Sequence, residues 1–339
     1  MKKIFALLCC FLICFSAFAS SDLIYSINAK HFQIIYPEEC SQTASLVYEK
    51  CEEIYEEIKK ITGYSGEKIF IPVVIRNDVQ NLNAYYTGYP YHMIVLYDTA
   101  ADESTDFNQK EKMVDIFRHE LTHAMLFNRK SSAWQKLGNA FSDAISPQAL
   151  YVNPLLSEGL AVYSESIDGY GRNNSSSFTQ KIKQSKYEGI FPSWKRASGG
   201  IDRGYLYDSS YSFGGPFIEY LANTYGQGKI RELFTKTSGL YFNDMNKAFI
   251  NVFGKNADEL WYDFYDSIEI DEYPVVSQSI SGYGKYTVLF AKDQYIYALN
   301  TANSSVEKYD AYSCAFESSM PSYGASSLFV CSDDSLLLG

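Results

Sequence analysis

Apolar positions recur at two spacings along this 339-residue chain, helical and alternating, and together they divide most of it into elements. HFQIIYP (31–37) reads as a strand. From Ser41 to Thr62 the residues Ala44, Val47, Cys51, Ile54, Tyr55 and Ile58 repeat at helical spacing, and Gly63 and Gly66 mark the stop. KIFIPVVI (68–75) reads as a strand bounded by Asn77 and Asp78. YYTGYPYH follows as a Gly/Pro/Tyr loop, then another strand from about His92 to Tyr97. A second long helix is expected from Asn108 to Asn128. A third is expected over Ser131 to Gln148, with Trp134 and Phe141 facing inward.

Asn153 before Pro154 is an N-cap followed by a first-turn proline, which opens the helix PLLSEGLAVYSESID. DGYGRNNSSS (168–177) reads as a surface loop, and the chain up to Ser210 as irregular. Helical spacing returns at GGPFIEYLANTYG (214–226), GKIRELFTKTS (228–238), FNDMNKAFINVFG (242–254) and ADELWYDFYDSI (257–268). Near Pro274 the character changes to short alternating runs, YTVLFAKD, YIYALNT, SVEKYDAY and SLFVCSD, with Gly, Asn and Ser between them. The expected layout is an α+β domain over 20–274 and a β-rich segment over 275–339.

The first residues alter this picture. MKKIFALLCCFLICFSAFASS carries Lys2 and Lys3, an apolar run from Ile4 to Phe18, and a small-x-small close at Ala17-Phe18-Ala19. That is the pattern of a secretory signal peptide, 1–19, cut after Ala19. The run is short for a bilayer span. A lipid anchor on Cys14 is disfavoured, because FLIC has no small residues ahead of the cysteine. The expectation is therefore an exported protein, periplasmic or secreted, with no stable membrane span after cleavage.

Loss of 1–19 removes two lysines and no acids, so the formal charge moves from −11 to −13. An acidic product of this kind is a poor nucleic-acid binder. Composition is otherwise that of a folded protein, 46% hydrophobic and 20% charged, which argues against disorder. Four cysteines stay behind, Cys40, Cys51, Cys314 and Cys331. In an oxidising compartment they allow the sequence-near pairs Cys40–Cys51 and Cys314–Cys331, with buried free thiols as the alternative. No C-x-x-C occurs, which argues against a cysteine zinc cluster.

The decisive stretch is FRHELTHAM (117–125). On a helix, positions i and i+4 share a face, so His119 and His123 can place two imidazoles on one zinc ion. Glu120 stands beside the first ligand, where it can take a proton from a zinc-acidified water without binding the metal itself. A solvated polar stripe is the bland alternative. It is weakened by Ile116, Phe117, Leu121, Ala124 and Met125, which make the helix largely buried and leave its polar groups in need of partners.

Catalytic zinc takes three protein ligands. SEGLAVYSE (157–165) offers the third, since Glu158, Ala161, Val162 and Glu165 share one helix face. Glu158 is the expected ligand. Glu165, two turns on, is placed to accept the other ring N–H of a ligand histidine.

HELTH followed by SEGLAVYSE resembles the gluzincin metallopeptidases, in particular the peptidase MA-like domain related to the aminopeptidase N and thermolysin families. The resemblance extends over most of residues 30–270, from HFQIIYP and IPVVI to SFGGPFIEYLANTYGQGKIRELF. It implies a zincin-like fold, with a small N-terminal mixed sheet and helices, the HExxH helix and a C-terminal helical subdomain. It also implies one Zn2+ ion and a peptide or protein substrate. In aminopeptidase N relatives a Y-x-x-G element supplies an oxyanion-stabilising tyrosine. Tyr211-Ser-Phe-Gly214 matches it, so that role is carried to Tyr211, with Tyr205 and Tyr207 as rivals. The relatives also set an edge strand beside the zinc to pair with an extended peptide, and GYPYHMIVLYD (88–98) stands in the right order for it. The Gly-x-Met-Glu-Asn segment that reads a free N-terminus is absent, which puts exopeptidase action in doubt. His31 and His92 are left outside the site. The tail resembles the opening blade of a β-propeller, although a partial blade cannot close one.

The expected function is an exported zinc metallopeptidase, more endopeptidase than aminopeptidase. The alternative is a non-catalytic zinc-binding or scaffolding protein of the cell envelope. It would use the peptidase shell and the β-rich tail for protein contacts.

Overall fold

The computed structural model describes residues 23–64, 70–79, 83–88, 91–99, 112–129, 153–199, 209–237, 244–270, 286–333 and 335–339. The expected signal peptide, the helix over Ser131–Gln148 with Trp134 and Phe141, and the rival tyrosines Tyr205 and Tyr207 lie outside them. The chain divides into two compact units, Met1–Ile270 and Asp271–Gly339.

In the first unit, β1 (Ile24–Asn28) and β2 (Phe32–Pro37) form an antiparallel pair. The helix α1 (Ser41–Thr62) then carries the chain over to β3 (Ile71–Arg76), which lies parallel to β2. A parallel pair needs such a crossover, and the apolar stripe of α1 supplies it. Its end is set by Gly63 in the left-handed region (φ 64°), with Lys59 and Lys60 in the last turn against the negative end of the helix dipole. β4 (Asn83–Thr87) and β5 (Met93–Tyr97) complete the sheet, whose order is β1-β2-β3-β5-β4. β5 runs parallel to β3, while β4 runs antiparallel to β5 at the edge.

The other regular elements among the described residues of this unit are mostly α-helices. They are α2 (Lys112–Phe127), α3 (Pro154–Glu165), α4 (Ser176–Tyr187), α5 (Trp194–Ser198), α6 (Ser209–Ser212), α7 (Gly214–Tyr225), α8 (Gln227–Lys236), α9 (Met245–Phe253) and α10 (Ala257–Ser267). α2 is buried at every position from Met113 to Leu126. Phe117 on α2 meets Phe32 of β2 edge to face at 5.4 Å, and Phe32 meets Tyr55 of α1, so one ring, Phe32, joins sheet, crossover helix and α2.

Three expectations need correction. β4 lies partly within the stretch read as a loop, because Tyr85 and Tyr86 continue an alternating pattern before the Gly88 turn. The edge strand is therefore 83–87, and β5, expected in that place, is interior. α4 forms where a Ser-rich loop and irregular chain were expected, because Phe178, Ile182 and Ser185 bury one face at helical spacing. Finally, all four cysteines are free: Cys40 and Cys51 are buried, and Cys51 donates to the Tyr48 carbonyl. Burial, with Asp98 beside it, pushes the Cys40 thiol up to about 11, so it stays protonated and inert.

The second unit holds an antiparallel four-stranded sheet. It comprises β6 (Tyr286–Lys292), β7 (Tyr295–Asn300), β8 (Ser305–Asp310) and β9 (Phe316–Pro321), in that order, with a separate pair β10 (Leu328–Val330) and β11 (Leu336–Leu338). Its small core is Tyr297, Leu299, Val306, Leu328 and Val330. Glu307 is held by Tyr286, Tyr309, Asn300 and Asn303, so this buried carboxylate is fully hydrogen-bonded.

Phe117→Ala should cost about 3–5 kcal/mol of unfolding free energy, measured by denaturant titration of the metal-free chain.

Candidate metal centre

α2 and α3 cross so that their polar residues meet each other instead of solvent. Thr122 bonds the Arg118 carbonyl and sits 2.6 Å from the Ser164 hydroxyl of α3. Arg118 reaches Glu57 of α1 and Asp168 just beyond α3, which fastens the buried helix from both sides. α3 opens on Asn153, whose side chain accepts from the Leu155 N–H, with Pro154 in the first turn as the sequence predicts.

This crossing brings His119, His123 and Glu158 to one point. The two Nε2 atoms are 3.2 Å apart. Glu158 Oε2 lies 3.1 Å from His123 Nε2 and 3.3 Å from His119 Nε2. Four donors about 2.0–2.1 Å from a tetrahedral zinc stand roughly 3.3 Å from one another, so this triangle has the edge lengths of three corners of that tetrahedron. Two neutral imidazoles and one carboxylate are also a donor set that zinc accepts. Residues and spacing therefore fit the ion.

Glu165, at the end of α3, is fully buried and accepts from His119 Nδ1 at 2.9 Å. In the neutral ring, that bond puts the proton on Nδ1 and would leave the Nε2 lone pair for a metal ion. Arg172 holds Glu165 in turn, through Nε to Oε1 at 2.6 Å and Nη2 to Oε2 at 2.9 Å. Nη2 also lies 2.8 Å from His119 Nδ1. Two donors cannot bond each other, so both converge on the shared carboxylate oxygen.

Glu120 shares the buried helix but makes no hydrogen bond among the described residues, and it faces a cleft with Asn83, Ala84, Ile116, His119, Arg172 and Tyr211. Tyr211 comes from α6. Its ring stacks on His119 at 6.2 Å, and the Arg172 guanidinium lies 5.0 Å from its centroid. Burial and the Glu158 carboxylate push the phenol up to about 12, so it remains a hydrogen-bond donor at neutral pH.

The distance from Tyr211 to the cluster is set by glycines. A Cβ on Gly159, next to Glu158, would lie 2.5 Å from the Gly214 backbone, and a Cβ on Gly214 would lie 2.4 Å from the Leu155 carbonyl oxygen. α3 and α7 thus pack backbone on backbone, which holds the helix of Glu158 against the turn that carries Tyr211.

On its far side the cluster is supported by rings. Phe127 stacks on His123 at 5.7 Å and on Tyr86 of β4 at 6.2 Å, and Tyr86 stacks on His92. Asn128 donates to the Tyr86 hydroxyl, which is 2.6 Å from His92 Nδ1. His92 thus belongs to the support of the edge strand. His31 is packed on Tyr55 and bonded to Glu52, away from the cleft. Sequence reasoning missed Arg172. Its signal was a single arginine seven residues after Glu165, following Gly171 at φ +71°, where a Cβ would lie 2.4 Å from the Glu165 carbonyl oxygen.

No protein-family model matches the chain. An uncharacterized protein of Treponema pallidum (strain Nichols) is 28% identical over 259 residues, which are 76% of this chain and 23% of that protein. The chain therefore spans under a quarter of the length of that relative. Among solved structures, native yeast LTA4 hydrolase aligns with TM-score 0.46 and 12% identity, over 74% of this chain and 40% of that one. An aminopeptidase N family protein from Idiomarina loihiensis aligns with TM-score 0.42 and 11% identity, over 83% and 57%. At these values the structural likeness carries no argument about activity. No described helix is long and apolar enough to cross a membrane.

Gly159→Ala should cost about 1–3 kcal/mol through the forced backbone contact. Gly228→Ala, with open space around it on α8, should be neutral or stabilising by up to ~1 kcal/mol. Paired denaturant melts check both.

A pH dependence follows for the metal-free chain. Burial opposes charge on His119, but bonds to Glu158 and Glu165 outweigh it and raise the imidazole to about 9. Burial also opposes charge on Glu158, and bonds from the two histidines hold it well below the carboxylate range. The His119 contribution is present in full below its unfolded value near 6.5 and is lost as pH rises through about 9. The Glu158 contribution is present above its unfolded value of 4.5 and is lost only as pH falls through its lower folded value. Chelator-treated protein should therefore melt at falling temperature between pH 6.5 and 9, and Glu158→Gln should flatten that slope.

Proposed function

We propose that the chain is a zinc-dependent peptidase acting outside the cytoplasm. The observation that carries this reading is the triangle of His119, His123 and Glu158 donors, with the unbonded Glu120 carboxylate in the same cleft. His119, His123 and Glu158 would hold a zinc ion, which would supply a Lewis acid for a water and a peptide carbonyl. Glu120 then takes the proton from the attacking water and delivers it to the leaving amine. The Tyr211 hydroxyl donates to the carbonyl oxygen as charge develops there. Glu165 holds His119 in the tautomer that leaves Nε2 free. β4, the outermost described strand of the sheet, puts Asn83 and Ala84 at the cleft, where an extended chain would add alongside it.

Endopeptidase action is favoured over aminopeptidase action. The sequence lacks the Gly-x-Met-Glu-Asn segment that reads a free N-terminus in aminopeptidase N relatives, and Arg172 places a cation at the cleft. The export reading rests on the sequence of residues 1–19.

A second reading, contact without turnover, is favoured by one observation. The β-rich unit exposes Leu289, Phe316, Phe329 and Leu337 to solvent, more apolar surface than a small sheet needs.

Glu120→Gln should retain zinc at wild-type stoichiometry and lose peptide cleavage by at least ~10²-fold. Tyr211→Phe should lower kcat about 10²-fold with little change in KM. Both are read on a mixed peptide library with and without chelator. Equal cleavage by wild type and Glu120→Gln would sink the mechanism, and absence of cleavage by the zinc-loaded wild type would favour the second reading.

A further inference from the structure

The guanidinium of Arg172 makes a second link between two parts of the site that also meet through the ring of His119. On one side it grips both oxygens of Glu165, the carboxylate that orients His119. On the other it lies against the ring of Tyr211. A bidentate fork fixes a carboxylate in plane as well as in distance, and a guanidinium face suits an aromatic ring. The backbone N–H of Arg172 also donates to Glu165 Oε1 at 3.2 Å, so side chain and main chain hold the same group.

The local fold commits the chain to this arrangement. Asn173 and Asn174 bond the hydroxyl and carbonyl of Ser166, folding the short turn Arg172–Asn174 back onto the end of α3. Asn173 reaches onward to Glu219 of α7. The loop after α3 is therefore built on the same two helices whose glycine contact spaces the site, and Arg172 is the residue it delivers to the cleft.

We infer that Arg172 is a positioning residue that holds the zinc-ligand orienter Glu165 and the oxyanion donor Tyr211 in one register. The inference rests on the zinc-site reading and adds a dependence that reading does not contain. Zinc grip and the placement of the tyrosine should fail together when the fork is removed, although Arg172 touches neither metal nor scissile bond.

The test uses Arg172→Met, which keeps the stem and removes the fork, Arg172→Lys, which keeps the charge, and Arg172→Ala with and without added guanidinium. Zinc affinity is read by chelator competition, turnover by kcat and KM, and folding by melting temperature. Arg172→Met is expected to weaken zinc binding about 10–100-fold, the range for lost outer-shell partners. It should also lower kcat with KM nearly unchanged. Arg172→Lys should recover little, because an ammonium is not a fork. Guanidinium should partly restore both properties to Arg172→Ala. Tyr211→Phe should lower kcat and leave zinc affinity alone, and its effect should be less than additive with Arg172→Met.

A folded Arg172→Met with zinc affinity and kcat within about twofold of wild type overturns the inference. So does a loss of both that follows a lowered melting temperature and is not relieved by guanidinium, since that is bulk destabilisation. If wild type cleaves no peptide, the functional reading fails by itself, and the zinc-affinity arm still decides whether Arg172 holds Glu165.

Discussion

The structure turns on the burial of polar groups along α2. A helix enclosed from Met113 to Leu126 would ordinarily be apolar all round, yet this one carries Asp115, Arg118, His119, Glu120, Thr122 and His123. Each buried polar group left without a partner is costly, and a buried charge more so. The neighbouring elements therefore appear as partners to these side chains as much as packing surfaces. α1 supplies Glu57 to Arg118, α3 supplies Ser164 to Thr122 and Glu158 and Glu165 to the histidines, and the loop after α3 supplies Asp168 to Arg118. Packing and chemistry are set by the same contacts.

Precision in that arrangement comes from glycine. Side chains between two helices hold them 8–10 Å apart, and shift when one is exchanged for another. Gly159 and Gly214 remove side chains from the crossing of α3 and α7, so backbone meets backbone and the separation becomes nearly fixed. Glu158 stands one residue before the contact and Tyr211 three residues before it. A carboxylate of the candidate metal cluster and a phenol donor from segments more than fifty residues apart are thereby placed by one steric stop.

Much of this was legible from residue order. The helical spacing of His119 and His123, the apolar positions around them, and the shared face of Glu158 and Glu165 follow from helix geometry, and the structure brings these four side chains together. The crossover from β2 through α1 to β3 was equally plain, because alternation and helical periodicity leave strong local signals. What escaped notice depends on tertiary contact. β4 was hidden by the tyrosines and glycine around it, and its place at the sheet edge follows from pairing partners that no local pattern reveals. Arg172 sat in a run of Gly, Asn and Ser that is surface loop in most chains. Only the fold of that loop onto α3 turns a solvated cation into a buried one. Between the two readings left open for the cysteines, sequence-near pairs or buried free thiols, the second holds for Cys40 and Cys51. Even numbers permit disulfides, but Cys40 and Cys51 each turn into the core beside α1.

Electrostatics ties these features to the choice of ion. Glu120, Glu158 and Glu165 gather around the cluster with Arg172 as their buried cation, which leaves two negative charges in a place water reaches poorly. Such an excess must be offset, because a low-dielectric surrounding strengthens repulsion as much as attraction. Protons are one remedy, and the raised imidazole of His119 is that remedy at work in the metal-free chain. A divalent cation is the other, and it satisfies donor geometry and charge at once. Remove Arg172 and the excess becomes three, which a single divalent ion no longer balances. On the proposed reading the guanidinium would therefore bear on the charge balance of a bound divalent ion as well as on the orientation of the residues that would hold it.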